Sequence, residues 1–205
     1  MKNPTTTERK SERELVVTRT INGPARLVFE AWTRPDLFKR WWVPKSAGLT
    51  LLSCEMDVRV GGGYRLVFAG DPEPIAFFGK YLEVTPHSRL SWTNDESPDG
   101  AITTVTFEES GGKTRVVVVD LYPSKEALDA AIASESTGGF TEQFEQLDEL
   151  LGTLGADAGG PGSWFPQDPP EYFRNDTHAE TPIVAMTTKM LMKQNQMRGE
   201  LAGGQ

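Results

Sequence analysis

The sequence predicts an α+β domain: a strongly bent antiparallel sheet with one long amphipathic helix laid across it. Three observations carry this. First, β-rich runs follow one another at short spacing, which favours antiparallel pairing because parallel neighbours need long crossovers. Second, Phe140, Phe144, Leu147 and Leu151 are spaced four, three and four apart, a single apolar stripe at helical period. Third, a sheet with one apolar face needs a cover, and only the last helix is long enough to supply it.

The elements follow in order. Leu15–Ile21 reads as the first strand, and Asn22-Gly23-Pro24 turns the chain into a short helix, Pro24 suiting its start. Val28, Phe29, Ala31 and Trp32 give that helix one buried face. Thr33-Arg34-Pro35 interrupts it, Asp36–Arg40 makes a second short turn, and Trp41-Trp42-Val43-Pro44 ends the unit. Six further strands are expected, Leu49–Val58, Tyr64–Phe68, Ile75–Val84, Arg89–Thr93, Ala101–Glu108 and Lys113–Leu121, and the valine run 116–119 is the clearest part of them. Gly61-Gly62-Gly63, Gly70-Asp71-Pro72, Pro86-His87-Ser88 and Ser110-Gly111-Gly112 supply turns. Ser124 is an expected N-cap with Glu126 in the first turn; Gly138-Gly139 should weaken the helix, and Gly152 and Gly155 should end it.

Composition narrows the function. The chain has 205 residues, a net charge of −8 and 38% hydrophobic residues, as expected of a globular domain. The acidity argues against nucleic-acid binding, which needs a basic footprint. One cysteine, Cys54, excludes an internal disulfide, and the two histidines, His87 and His178, leave little for a metal or His-based catalytic constellation. No metal and no cofactor are expected. Gly61-Gly62-Gly63 lacks the Lys-Ser/Thr of a phosphate loop and precedes a strand, so nucleotide binding is rejected. The polar N-terminus lacks the apolar core of a signal peptide, and no apolar run approaches a membrane span, so a reducing cytoplasm is the expected compartment.

Several motifs now combine. Trp32-Thr33-Arg34-Pro35 with Trp41-Trp42-Val43-Pro44, then Asp57-Val58-Arg59-Val60-Gly61-Gly62, then Gly79–Pro86 (GKYLEVTP) with Arg89-Leu90, then Gly112–Arg115, then Tyr122–Ala127 stand in sequence. Their order over about residues 14–154 resembles the activator-of-heat-shock-protein-ATPase homologues, a branch of the SRPBCC (START / Bet v 1-like) superfamily. Val43 departs from the glycine usual there. The resemblance implies a helix-grip fold, with the sheet wrapped around the C-terminal helix and a hydrophobic pocket between them. Some superfamily relatives are cyclases or dehydratases, and distant eukaryotic ones regulate a chaperone.

Alternation supplies the inward faces. The expected pocket set is Met56, Tyr64, Leu66, Phe68, Phe78, Leu82, Trp92, Val105, Phe107, Val116 and Val118, faced by Phe140 and Phe144 from the helix. Trp41 and Trp42 read either as an aromatic wall of a ligand site or as plugs sealing the short helices. Two polar groups are candidates for the pocket. Arg59 could anchor a ligand carboxylate or pair with Asp57 in the hairpin, the latter being favoured. Asp120 lies on the face of Val116 and Val118; it could be a buried general base, but a solvated strand end is the favoured reading.

The expected function is non-catalytic binding of a small hydrophobic or amphipathic molecule between sheet and helix. One alternative is a cyclase- or dehydratase-like enzyme, which requires Arg59, Tyr64, Tyr81 and Asp120 to point into a cavity together. The other is a chaperone-regulating or protein-interaction module. The expected organisation is a flexible arm over residues 1–13, the domain over 14–156, and a Pro/Gly-rich linker and tail over 157–205, with a candidate helix near 183–201 that could dock a protein partner. Ser124–Leu154 carries seven acids and one lysine, so the acidity concentrates on the closing helix and is expected to be a solvated outer face.

Overall fold

A computed structural model describes residues 3–97, 99–133 and 139–157. The expected tail and its helix lie outside these residues. The eight strands are β1 (Thr6–Arg9), β2 (Glu14–Ile21), β3 (Leu51–Met56), β4 (Gly63–Phe68), β5 (Ile75–Thr85), β6 (Arg89–Trp92), β7 (Ile102–Ser110) and β8 (Lys113–Leu121). They form one antiparallel sheet in the order β1-β2-β8-β7-β6-β5-β4-β3. The sheet is curved and unclosed, and a C-terminal helix completes a helix-grip fold. Helices α1 (Ala25–Thr33) and α2 (Pro35–Phe38) and a 3-10 turn (Lys45–Ala47) connect β2 to β3, and α3 (Lys125–Ala133) and α4 (Gly139–Asp157) follow β8.

Local chemistry explains these elements. The β7–β8 hairpin turns on Gly111 and Gly112, both at positive φ (58° and 73°), where a side chain would be strained. At Gly62 a Cβ would meet the Asp57 carbonyl oxygen at 2.2 Å, so only glycine fits the β3–β4 turn. Helix α1 buries Val28, Phe29, Ala31 and Trp32, and its first N–H, on Ala25, donates to Glu109 Oε2 at 2.8 Å. Helix α4 presents Phe140, Phe144, Leu147, Leu150 and Leu151 to the sheet, all buried.

Three expectations about the elements need correction. Residues 6–9 are no frayed arm: they pair with Leu15–Thr18 as an edge strand, because β-branched Thr6 and Thr7 match an otherwise open edge of β2. Gly152 and Gly155 do not end the last helix, which runs to Asp157. Gly152 faces open space, and apolar packing by Leu150, Leu151 and the half-buried Leu154 outweighs a glycine cost of about 1 kcal/mol. The third correction is the register of β5. Its inner residues are Phe77 and Tyr81, each 2% exposed, whereas Phe78 is only half-buried and Leu82 is exposed at 47%. A bulge between Tyr81 and Glu83 changes the parity of the strand, so Val84 returns to the core side. No strictly alternating reading of this strand could be right along its whole length.

Candidate functional site

The concave face of the sheet is organised in rows. Tyr81 pairs with Trp92, Trp92 with Thr103, Thr103 with Asp120, and Asp120 with Leu15, so five side chains from five strands share one line. All five are buried. Strands lie about 4.8 Å apart, which places Asp120 roughly 10 Å from Trp92. A second row, Leu90, Val105, Val118 and Val17, runs beside it and is wholly apolar.

The helices close an aromatic cluster over this face. Trp32 of α1 lies 4.9 Å from Trp41, 5.7 Å from Trp42, 6.2 Å from Trp92 and 5.9 Å from Phe107, ring centre to ring centre. Phe38 stacks on Trp42 at 4.8 Å, and Tyr81 bridges Trp92 at 6.4 Å and Tyr64 at 5.3 Å. Offset and edge-on arrangements at such distances add to the burial of large rings. Trp41 and Trp42 are both buried, at 0% and 2% exposure, so neither stands at a solvent-facing mouth.

Polar groups of α4 hold this cluster in place. Gln146 Nε2 donates to the carbonyls of Trp41 (2.7 Å) and Val43 (2.9 Å), and its Oε1 accepts from the Lys45 N–H at 2.9 Å. Gln143 Nε2 donates to the Trp42 carbonyl at 2.5 Å. Glu142 accepts from the Ser46 N–H at 3.0 Å and from its hydroxyl. The tryptophan loop is non-helical, so its buried carbonyls need such partners. Arg19, 2% exposed, donates to Asp148 at 2.8 Å and to Thr5 at 3.0 Å, and Asp148 also accepts from the Asn22 N–H at 2.9 Å. This pair ties α4 to β2. The acidic face of the closing helix is therefore not wholly a solvated surface, since Glu142 and Asp148 are spent on internal bonds.

The sequence-predicted residues divide clearly. Tyr64, Leu66, Phe68, Trp92, Val105, Phe107, Val116, Val118, Phe140 and Phe144 meet in one core with Trp41 and Trp42, and Met56 packs half-buried against it. Phe78 and Leu82 do not belong there, being on the other face of β5. Arg59 is no pocket group: its Nε pairs with Asp57 at 2.8 Å and the side chain is 45% exposed, because the hairpin turn carries both to the surface. Asp120 is buried at 4% exposure rather than solvated. It accepts from Thr103 Oγ1 at 2.6 Å, and Asn94 Nδ2 donates to that same oxygen at 3.2 Å. Burial pushes the Asp120 carboxyl up to about 6, with the Thr103 bond opposing the rise. Arg59, Tyr64, Tyr81 and Asp120 are thus not brought together, the arginine standing outside and the carboxylate two strands from Trp92.

Trp32, Gln143, Gln146 and Arg19 were missing from the expected site, and Tyr81 had a place only in the cyclase alternative. Trp32 was legible as a buried helix face but not as part of the sheet's lining. The glutamines flank the apolar stripe at 140, 144, 147 and 151, and that position is the one signal for them. Cys54 is buried and its thiol is pushed up to about 12 by desolvation, so it is unreactive. No group of His, Cys, Asp and Glu among the described residues could hold a metal ion.

An open antiparallel sheet gripping a C-terminal helix around an aromatic core defines a helix-grip domain. Residues 22–152 match the family described as "Activator of Hsp90 ATPase homolog 1-like protein", and the chain belongs to that family. Membership supports a ligand-binding or regulatory module in general. A Rhodobacter sphaeroides protein is similar in structure, with a TM-score of 0.67 at 22% identity over 74% of this chain and 99% of its own. Protein NE0264 of Nitrosomonas europaea gives 0.65 at 24% identity over 72% and 99%. Protein Ms6760 of Mycobacterium smegmatis gives 0.62 at 25% identity over 74% and 99%. No curated protein matches the chain. No helix among the described residues is long and apolar enough to cross a membrane.

Proposed function

We propose that this domain binds a small, mainly apolar molecule on the concave face of the sheet, beneath α1 and α4, without acting on it chemically. The observation that carries the reading is the unbroken aromatic lining from Phe38 through Trp42, Trp32 and Trp92 to Tyr81 and Tyr64, contributed by helices and strands alike. Such lining suits apolar rings and chains, and a few polar groups within it would set orientation. Binding is favoured over cyclase-like catalysis because the acid, the base and the arginine such chemistry would draw on do not share one place.

Native mass spectrometry against a panel of polycyclic aromatics and long-chain fatty acids tests the proposal. A binder is expected to give a saturable one-to-one complex and to raise the melting temperature, since ligand at a hundredfold excess over Kd stabilises by about 2.7 kcal/mol. If no panel member is retained and none shifts the melting temperature, the proposal fails.

A further inference from the structure

Nε1 of Trp32, Nε1 of Trp92 and the Tyr81 hydroxyl are buried with no hydrogen-bond partner among the described residues. Folded proteins rarely leave one buried donor unmade, because its lost hydration is not returned. Here three occur on contiguous rings, Trp92 lying 6.2 Å from Trp32 and 6.4 Å from Tyr81. The condition is local. Trp41 Nε1 next door donates to the Ala31 carbonyl at 2.9 Å, and the Tyr64 hydroxyl donates to the Thr93 carbonyl at 3.1 Å. Arg19 Nε is also unpartnered, but its guanidinium is already held by Asp148 and Thr5.

The three groups have one polarity. An indole N–H donates only, and a neutral phenol donates readily. Burial drives the Tyr81 hydroxyl well above its ordinary pKa, so it keeps its proton. What is missing is therefore an acceptor. Charge narrows its kind. Arg19 is the buried base among the described residues, and Asp148 neutralises it. Asp120, in the same row as Trp92, would repel an anion once ionised. An anionic ligand would lose its hydration and gain no counter-charge.

We infer that the inner-face site takes an uncharged, largely apolar ring compound carrying a carbonyl oxygen, which accepts hydrogen bonds from Trp32, Tyr81 and Trp92. This rests on the ligand-binding reading above and names the ligand's chemistry. The contacts balance without proton transfer: three donors face the lone pairs of an oxygen, or of two oxygens on one ring system.

Equilibrium dialysis of the full chain against 9-fluorenone, fluorene and fluorene-9-carboxylate tests it, because the three share one tricyclic skeleton. Fluorenone is expected to bind at least tenfold more tightly than either of the others. Tyr81→Phe, which removes only the hydroxyl, is expected to weaken fluorenone several-fold and leave fluorene unchanged. Equal affinities for fluorenone and fluorene, or a preference for the carboxylate, would overturn the acceptor inference and leave ligand binding standing. An equal loss for both probes in Tyr81→Phe would overturn the role of Tyr81 as a donor. Retention of none of the three would overturn the acceptor inference, while the ligand-binding reading would still be decided by the wider panel above. The wild-type comparison decides the matter even if the variant folds poorly.

Discussion

Replacing Gln146 by leucine isolates what holds the tryptophan loop. The leucine side chain is close in size and keeps helix propensity, so α4 itself is not disturbed. Three hydrogen bonds disappear: Nε2 to the Trp41 and Val43 carbonyls at 2.7 and 2.9 Å, and the Lys45 N–H to Oε1 at 2.9 Å. Gln146 is 6% exposed, so water has little access to the groups left behind. A net loss of about 1 kcal/mol per bond, with a further penalty for the stranded Trp41 carbonyl, sums to roughly 3–4 kcal/mol. The leucine recovers about 1 kcal/mol through added apolar burial, leaving about 2–3 kcal/mol. With a urea slope of about 2 kcal/mol per M, the unfolding midpoint should fall by about 1–1.5 M at constant slope. The near-ultraviolet circular dichroism of the tryptophan cluster should weaken as well, since Trp41 and Trp42 lose their fixed backbone. Glu149→Gln, on the same helix but with its side chain 68% exposed, serves as the control and should not move the midpoint. A midpoint for Gln146→Leu within 0.2 M of wild type (an assay threshold of roughly 0.5 kcal/mol) would refute the view that α4 organises the loop through these bonds.

Two further outcomes follow from buried charge. Asp120 is raised from 3.8 to about 6, so the native state holds its proton to higher pH than the unfolded chain does. Stability should therefore be fullest below about 4, fall as the pH rises towards about 6, and stay reduced above it. Asp120→Asn should exceed wild type by up to about 3 kcal/mol at pH 7.5 and lose that advantage by pH 4; parallel stability curves for the two proteins would contradict the assignment. Asp148→Ala leaves the 2%-exposed Arg19 guanidinium uncompensated and should cost about 3–5 kcal/mol in chemical denaturation, much less when combined with Arg19→Met. If the double variant loses as much as Asp148→Ala and Arg19→Met do separately when added together, the two side chains are not coupled.

How far the sequence could be read depended on whether a residue's surroundings were local. In β7 and β8 the alternation of Thr103, Val105 and Phe107 and of Val116, Val118 and Asp120 defines the inner face without knowledge of any partner. In β5 the same rule fails at the bulge after Tyr81, because a backbone irregularity leaves no compositional mark in a stretch of mixed residues. The face of Asp120 was legible, but its burial was not, since Thr103, which bonds to it, and Leu15, which pairs with it, come from other strands. Arg19 looked like an ordinary polar strand residue; its partner Asp148 is 129 positions away. Gln143 and Gln146 are polar in sequence and buried in space, and only the shape of the tryptophan loop opposite them gives the reason.

The sheet order also constrains how the chain can assemble. Strands β3 to β6 pair with their neighbours in sequence, whereas β2 pairs with β8, Ile21 meeting Thr114 and Glu14 meeting Leu121. Closing a loop of about 100 residues costs about 3 kcal/mol more than closing a two-residue hairpin, before any contact repays it. During synthesis, β2 has only β1 beside it until β8 has been made. The N-terminal strands therefore depend on the last strand for their place, and a chain that stops at β7 would expose the whole free edge of β2 to other chains.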